Sequence, residues 1–195
     1  MIKAIETRYK GYRFRSRLEA RWAVFFDALN VDWQYEPEGY QLASGWYLPD
    51  FYLPDMRLWV EIKPLNVRAS KEEHKKMCDL VGMTNLRGTI LRGDPYDNSF
   101  TEPSDRPGFD DWSGSAIFEN GDDGSGAYDC PYCFCVCNDC GRIGFEYDGR
   151  GDRVCLSASC KKSHHGDKGY SYDNPRILSA AIKARSARFE HGETP

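Results

Sequence analysis

Residues 47–64 read YLPDFYLPDMRLWVEIKP, and the fold turns on them. Side chains alternate between the two faces of a strand. In RLWVEIK (57–63), Leu58, Val60 and Ile62 therefore share one face, and Glu61 and Lys63 emerge together on the other. Asp50 belongs to the preceding run, WYLPDFYL (46–53), joined to the next by a short turn around Pro54 and Asp55. Two strands so connected bring Asp50 and Glu61 within reach of one divalent ion. Mg²⁺, or Mn²⁺ in its place, takes hard oxygen donors, usually one or two carboxylates with water and a substrate phosphate. An ammonium at Lys63 would orient an attacking water or offset charge on a phosphate. A lone Glu-x-Lys on a strand is ordinarily a solvated face, and Pro-Asp ordinarily a turn, so the ordered set carries the reading rather than any one member.

Upstream, residues 14–29 form an amphipathic pattern. Leu18, Trp22, Phe25, Phe26 and Leu29 fall on one helical stripe. Glu19 sits at the edge of that stripe, one turn after Arg15, where a helical side chain can reach round to a sheet. Lys10, Arg13, Arg15, Arg17 and Arg21 crowd around it, interleaved with Tyr9, Tyr12 and Phe14. They are candidates for gripping phosphates. The plainer alternatives are an Arg15–Glu19 ion pair and solvent-facing Arg17 and Arg21. Val31, Trp33 and Tyr35 alternate as a first strand. Downstream, Ser70 and Glu73 make a capping box ahead of a helix with Met77, Leu80 and Val81 on one face. Gly88 to Leu91 returns as a fourth strand. The order helix, three strands, helix, strand is an α/β arrangement.

Pro49-Asp50 followed by Glu61-Ile62-Lys63, after a helical Glu19, resembles the PD-(D/E)xK nucleases. The order and spacing are similar to archaeal Holliday junction resolvases and to the nuclease subunit of some bacterial cut-and-paste transposases. The wording FRSRLEARWAVFF (14–26) is similar to nuclease-like proteins encoded by actinobacteriophages. The resemblance implies a restriction-endonuclease-like core in which Glu19, Asp50, Glu61 and Lys63 are catalytic. Asp50 and Glu61, with Glu19 as ligand or water-orienting partner, would hold Mg²⁺ for hydrolysis of DNA, with junctions or branched DNA as candidate substrates. Arg13, Arg15, Arg17 and Arg21 would contact that DNA. A DNA-binding or host-interaction protein that keeps the fold without turnover is the alternative.

The chain has 195 residues, 41% hydrophobic and 14% aromatic, ample for a packed core. Its net charge of −4 conceals a division into three segments. Residues 1–93 carry 15 Lys+Arg against 12 Asp+Glu, residues 94–129 carry 1 against 10, and residues 130–195 carry 10 against 8. An acidic stretch thus separates two mildly basic segments: an expected nuclease domain (1–93) and an expected zinc-binding module with a basic terminal helix (130–195). The middle segment, 94–129, reads as an acidic linker or excursion, with Phe109, Trp112 and Phe118 as anchors should it dock. No apolar run approaches the roughly 18 residues of a membrane span, and the start lacks a secretory apolar region. A reducing cytoplasm is the expected location, the host's if the chain is phage-encoded. There, eight cysteines argue for metal over disulfides.

Cys137-x2-Cys140-Gly141 is a zinc-knuckle pattern, and Cys155 and Cys160 supply a second pair. Ile143, Phe145 and Tyr147 alternate ahead of Asp148-Gly149, which reads as a hairpin turn between the pairs. Four thiolates would form a structural Zn²⁺ ribbon, and because the first segment has its own apolar helix and sheet, losing that metal is expected to do only local damage. Cys130 and Cys133 form another pair able to replace either partner, Cys135 is spare, and His164 or His165 could displace Cys160. An iron–sulfur cluster is the runner-up. Asn174-Pro175 starts a last helix, reaching about Phe189, whose Arg176, Lys183, Arg185 and Arg188 would help position DNA. The oligomeric state is left open, a homodimer included.

Overall fold

The computed structural model describes residues 5–67, 69–97, 117–118, 127–128, 132–137, 141–147, 153–154, 163–164, 170–171 and 174–189. They form a mixed α/β structure with three helices and several sheets. Strands β1 (Thr7–Tyr9) and β2 (Tyr12–Phe14) make a hairpin through Lys10 and Gly11. Their φ angles of 47° and 83° give a two-residue turn whose twist matches that of the strands. Helix α1 (Arg17–Ala28) begins at Ser16, whose hydroxyl accepts the Glu19 N–H at 3.2 Å. Residues 14–16, expected in the helix, belong instead to the hairpin and the cap.

Next come β3 (Gln34–Tyr35), β4 (Tyr40–Leu42), β5 (Gly45–Tyr47) and β6 (Phe51–Leu53). The expected single strand over 46–53 is split. β5 closes a hairpin with β4, and β6 enters the main sheet. Pro49 lies at the break, since it has no N–H to give a ladder. A single 3-10 turn, Pro54–Met56, leads to β7 (Leu58–Lys63), antiparallel to β6. Helix α2 (Lys71–Thr84), with the Ser70–Glu73 capping box in place, then crosses to β8 (Arg87–Arg92), parallel to β7. Parallel neighbours need such a crossover. Gly88 suits the place where α2 meets the sheet, because a Cβ there would press on the Met77 side chain. The acidic stretch adds two strands that its composition conceals, β9 (Ile117–Phe118) and β10 (Ala127–Tyr128). They complete a sheet ordered β10-β9-β8-β7-β6-β3. Phe109 and Trp112 lie outside the described residues.

The described parts of residues 130–195 are β11 (Tyr132–Cys137), β12 (Ile143–Tyr147), β13 (Arg153–Val154), β14 (Ser163–His164), β15 (Tyr170–Ser171) and α3 (Pro175–Ser186). The hairpin turn expected at Asp148-Gly149 lies outside the described residues. Among the described residues β12 pairs antiparallel with β11, Phe134 opposite Phe145. Gly141, at φ 70°, donates its N–H to the Cys137 carbonyl at 2.8 Å. Local alternation located the strand but could not choose its partner. Aromatic packing favours this pairing, because the Phe134 and Phe145 ring centroids are 4.9 Å apart.

One apolar core unites the beginning and end of the chain. Phe134 lies 5.9 Å from Trp22, 5.3 Å from Phe25 and 5.9 Å from Phe26. Ile177, Ala180, Ala181 and Ala184 of α3 join the same cluster, as do Phe51, Leu58, Val60 and Ile62. The expectation of merely local damage on metal loss is therefore not met by the packing, since β11 is part of the floor beneath α1. On the other sheet face Trp59 and Ile90 pack with Met77, Leu80 and Val81 of α2 and with Leu42 and Tyr47 of the β4–β5 hairpin.

Candidate active site

The β6–β7 register pairs Phe51 with Val60 and Leu53 with Leu58. Carried on by one residue, it sets Asp50 across from Glu61 at the end of the sheet. Both carboxylates are buried, at 3% and 8% exposure. Asp50 Oδ2 accepts the Ile62 N–H at 2.7 Å, and Oδ1 receives the Arg15 guanidinium at 2.5 Å. Glu61 Oε2 accepts the Tyr47 hydroxyl at 3.0 Å, and Oε1 lies 2.9 Å from Lys63 Nζ. Lys63 shares its ammonium with Glu73 of α2 at 2.5 Å. Alternation along β7 thus brings Glu61 and Lys63 out on one face while Leu58, Val60 and Ile62 fill the other.

Glu19 is buried too, on the first turn of α1. Its Oε1 accepts the Ser16 hydroxyl at 2.6 Å, and Oε2 accepts the Tyr35 hydroxyl at 2.6 Å and the Arg15 N–H at 3.1 Å. Ser16-x-x-Glu19 shares the sequence pattern of Ser70-x-x-Glu73, but here the carboxylate takes the Ser16 hydroxyl and the Arg15 N–H rather than closing a box on the Ser16 N–H. It is nonetheless close enough to act on Asp50. Burial, then the Glu61 and Glu19 carboxylates, push the Asp50 carboxyl well above its ordinary range, against the Ile62 N–H and Arg15. Burial alone would lower Lys63, but the Glu61 and Glu73 carboxylates outweigh it and hold the ammonium above its usual value. Lys63 is therefore a standing cation, suited to donate and not to accept a proton. Burial and Glu61 likewise raise Tyr47, which stays a phenol donor.

Crowded, buried carboxylates call for a cation, and Arg15 and Lys63 now answer. Asp50 and Glu61 are hard-oxygen donors of the kind Mg²⁺ and Mn²⁺ take. Among the described residues no three His, Cys, Asp or Glu side chains gather as a metal-holding group. Arg15 covers the outer oxygen of Asp50, and Lys63 that of Glu61. A divalent ion on Asp50 and Glu61 would take over from these two side chains.

The expected phosphate-gripping residues are already paired in several places. Arg13 meets Glu6 at 2.5 Å, Arg15 meets Glu36 at 2.6 Å besides Asp50, and Arg21 lies 3.8 Å from Asp94. Arg17 is partly buried on the first turn of α1. Arg185 of α3, expected to help position DNA, forks onto Asp94 at 2.9 and 3.0 Å. It also reaches Asp97 at 2.5 Å and lies 4.2 Å over the Tyr96 ring. Arg176 donates to the Gly141 carbonyl at 2.7 Å. Both bonds fasten α3 to the rest of the fold. Tyr47, Tyr35 and the Glu73–Lys63 pair lie outside the pattern the sequence offered. Only the two capping signatures hinted at any of this.

Of the expected zinc ligands only Cys137 is among the described residues; Cys140, Cys155 and Cys160 lie outside them, as do Cys130 and His165. Cys133, Cys135 and Cys137 alternate with Phe134 and Val136 along β11, so the thiols share the face away from the aromatic core. β13 pairs with β14, Arg153 opposite His164. No protein-family model, curated protein or solved structure matches the chain.

Proposed function

We propose that this protein is a Mg²⁺- or Mn²⁺-dependent DNA endonuclease of the PD-(D/E)xK type, hydrolysing phosphodiester bonds. The observation that carries the reading is the buried Asp50–Glu61 pair, set face to face across β6 and β7, with Lys63 beside Glu61. The ion would supply Lewis acidity toward a phosphate oxygen and the attacking water. Asp50 and Glu61 would hold it. Lys63, kept protonated, donates to the water or to the charge that develops on the phosphate. Glu73 and Tyr47 hold Lys63 and Glu61 in place, and Glu19 fixes the backbone of Arg15. Arg15, released from Asp50, binds a phosphate oxygen. Zn²⁺ on Cys137, Cys140, Cys155 and Cys160 would brace the turn between β11 and β12.

DNA is the proposed partner, with junctions or branched forms as the preferred substrate. A homodimer would suit such symmetric substrates. The proposed setting is the cytoplasm, that of the host for a phage-type enzyme; among the described residues no helix is long and apolar enough to cross a membrane. The deciding experiment is incubation of supercoiled plasmid and labelled branched DNA with the protein, with Mg²⁺ or with a chelator. Metal-dependent nicking supports the reading, and its absence on every substrate sinks it. The Arg15–Asp50 contact favours one rival, a DNA-binding protein whose cation is permanently the guanidinium. That protein would bind DNA equally with and without metal.

A further inference from the structure

Beyond Lys63 the chain runs through Pro64, Leu65, Asn66 and Val67 before reaching α2. Leu65 and Val67 are 37% and 42% exposed. Their backbone, by contrast, is held at several points. Arg92, the register partner of Lys63 on β8, donates from Nε to the Val67 carbonyl at 3.1 Å and from its terminal nitrogen to the Leu65 carbonyl at 2.6 Å. Val67 N–H closes a turn onto the Pro64 carbonyl at 3.0 Å, and Gly93 N–H ties down the Lys63 carbonyl at 2.8 Å. Single exposed apolar residues are ordinary. A pair on a braced loop, two and four residues past the reacting lysine, is a shaped feature.

The charge around it selects an occupant. From Lys63 to Lys71 the sequence has no carboxylate, and Arg68 and Lys71 are its other ionisable groups. An apolar pair with cations on both sides in sequence, beside Glu61 and Glu73 whose charge Lys63 meets, fits a polyanion with an apolar interior. Stacked DNA bases between phosphates are such a ligand.

We infer that Leu65 and Val67 form a wedge that enters the base stack beside the cleaved phosphate, opening duplex DNA at the active site; this rests on the endonuclease reading above. Inserted apolar side chains partly unstack a step and kink the helix, and a base pair that is already broken or absent needs no such opening. The wedge therefore gives access to paired DNA, while branched or mismatched DNA is open to the site without it.

The test uses the full chain and the Leu65→Ser/Val67→Ser double variant, both positions being exposed, with unchanged melting temperature as the check on folding. Two readouts apply. In chelator, duplex DNA carrying the fluorescent base aminopurine is titrated with protein while anisotropy follows binding. The wild type is expected to raise the fluorescence on binding, and the double variant to bind without that rise. With Mg²⁺, the double variant is expected to cut paired duplex about tenfold more slowly, because the unstacking cost is no longer offset by the wedge. It should cut the same sequence with a mismatch at the site at the wild-type rate. An equal loss on both substrates, no loss on either, or fluorescence that rises equally with both proteins overturns the wedge. If DNA is bound and unstacked but never cut, the endonuclease reading falls and the wedge stands. If DNA is not bound at all, both fall.

Discussion

The phenol of Tyr47, from a hairpin outside the main sheet, donates to Glu61 Oε2 at 3.0 Å and so holds the oxygen of that buried carboxylate which Lys63 of β7 does not reach. Tyr47→Phe keeps the ring and removes that bond. Losing an outer partner of a metal-bound carboxylate typically weakens metal binding by about 10–100-fold. Mn²⁺ affinity, read by calorimetry or electron paramagnetic resonance, should fall by that order, with little change in DNA affinity. An unaltered Mn²⁺ affinity would show that Glu61 holds no metal.

Asp50→Ala and Glu61→Ala should each reduce cleavage by at least roughly 10²-fold while leaving DNA binding intact or tighter, since clustered negative charge is removed. The accompanying stability readout is independent of cleavage. Mg²⁺ at about 100 times its dissociation constant should stabilise the wild type by about 2.7 kcal/mol, and either variant by far less. Full cleavage by both variants would refute the assignment.

The Glu73–Lys63 pair makes a pH-dependent prediction. Burial alone would raise the Glu73 carboxyl, but the Lys63 ammonium and the Ser70 N–H outweigh it and hold the group below its ordinary 4.5. A carboxyl depressed in the folded state stabilises above its unfolded value and loses that contribution as pH falls through the folded one. The wild type should therefore melt above Glu73→Gln at neutral pH. That margin should narrow once the pH drops below 4.5. A margin constant from neutral to strongly acidic pH would contradict the pairing.

Zinc removal should reach well beyond the cysteines. The protein should purify with about one zinc per chain, and Cys137→Ser should lose it. Because Phe134 stands among Trp22, Phe25 and Phe26, the variant should melt earlier as one transition that includes α1. Phe134→Ala should cost about 3–5 kcal/mol in the same transition. Two separated transitions, with α1 unaffected, would argue against the shared core, and iron with sulfide in the purified protein would refute the zinc ribbon.

Local periodicity fixed much of this in advance. The apolar stripe of α1, the alternation of β7, the capped start of α2 and the return of β8 all depend on neighbours within a few residues, and such patterns survive in a bare sequence. What it hid were choices among distant partners. Arg15 reaches Asp50 across 35 positions, and Arg185 reaches Asp94 across 91. Neither spacing leaves a periodic trace. Three-residue strands such as β1, β2 and β5 are too short for alternation to register. Tyr47 looked like one more strand aromatic until the hairpin swung it onto Glu61. Ser16-x-x-Glu19 is a cap pattern in its own right, but it lies inside the stretch 14–29, whose apolar periodicity alone starts the helix earlier.

The aromatic face of α1 also imposes an order of events on synthesis. Trp22, Phe25 and Phe26 leave the ribosome well before Phe134, which covers them. At roughly 5–20 residues per second the interval is on the order of ten seconds. Until then the strands bearing Asp50 and Glu61 stand on an unfinished floor with three large rings open to water. A nascent chain stalled in that window is the form most exposed to aggregation and most in need of a chaperone. The apolar core behind the strands that carry this pair is complete only once the cysteine-bearing strand has been made.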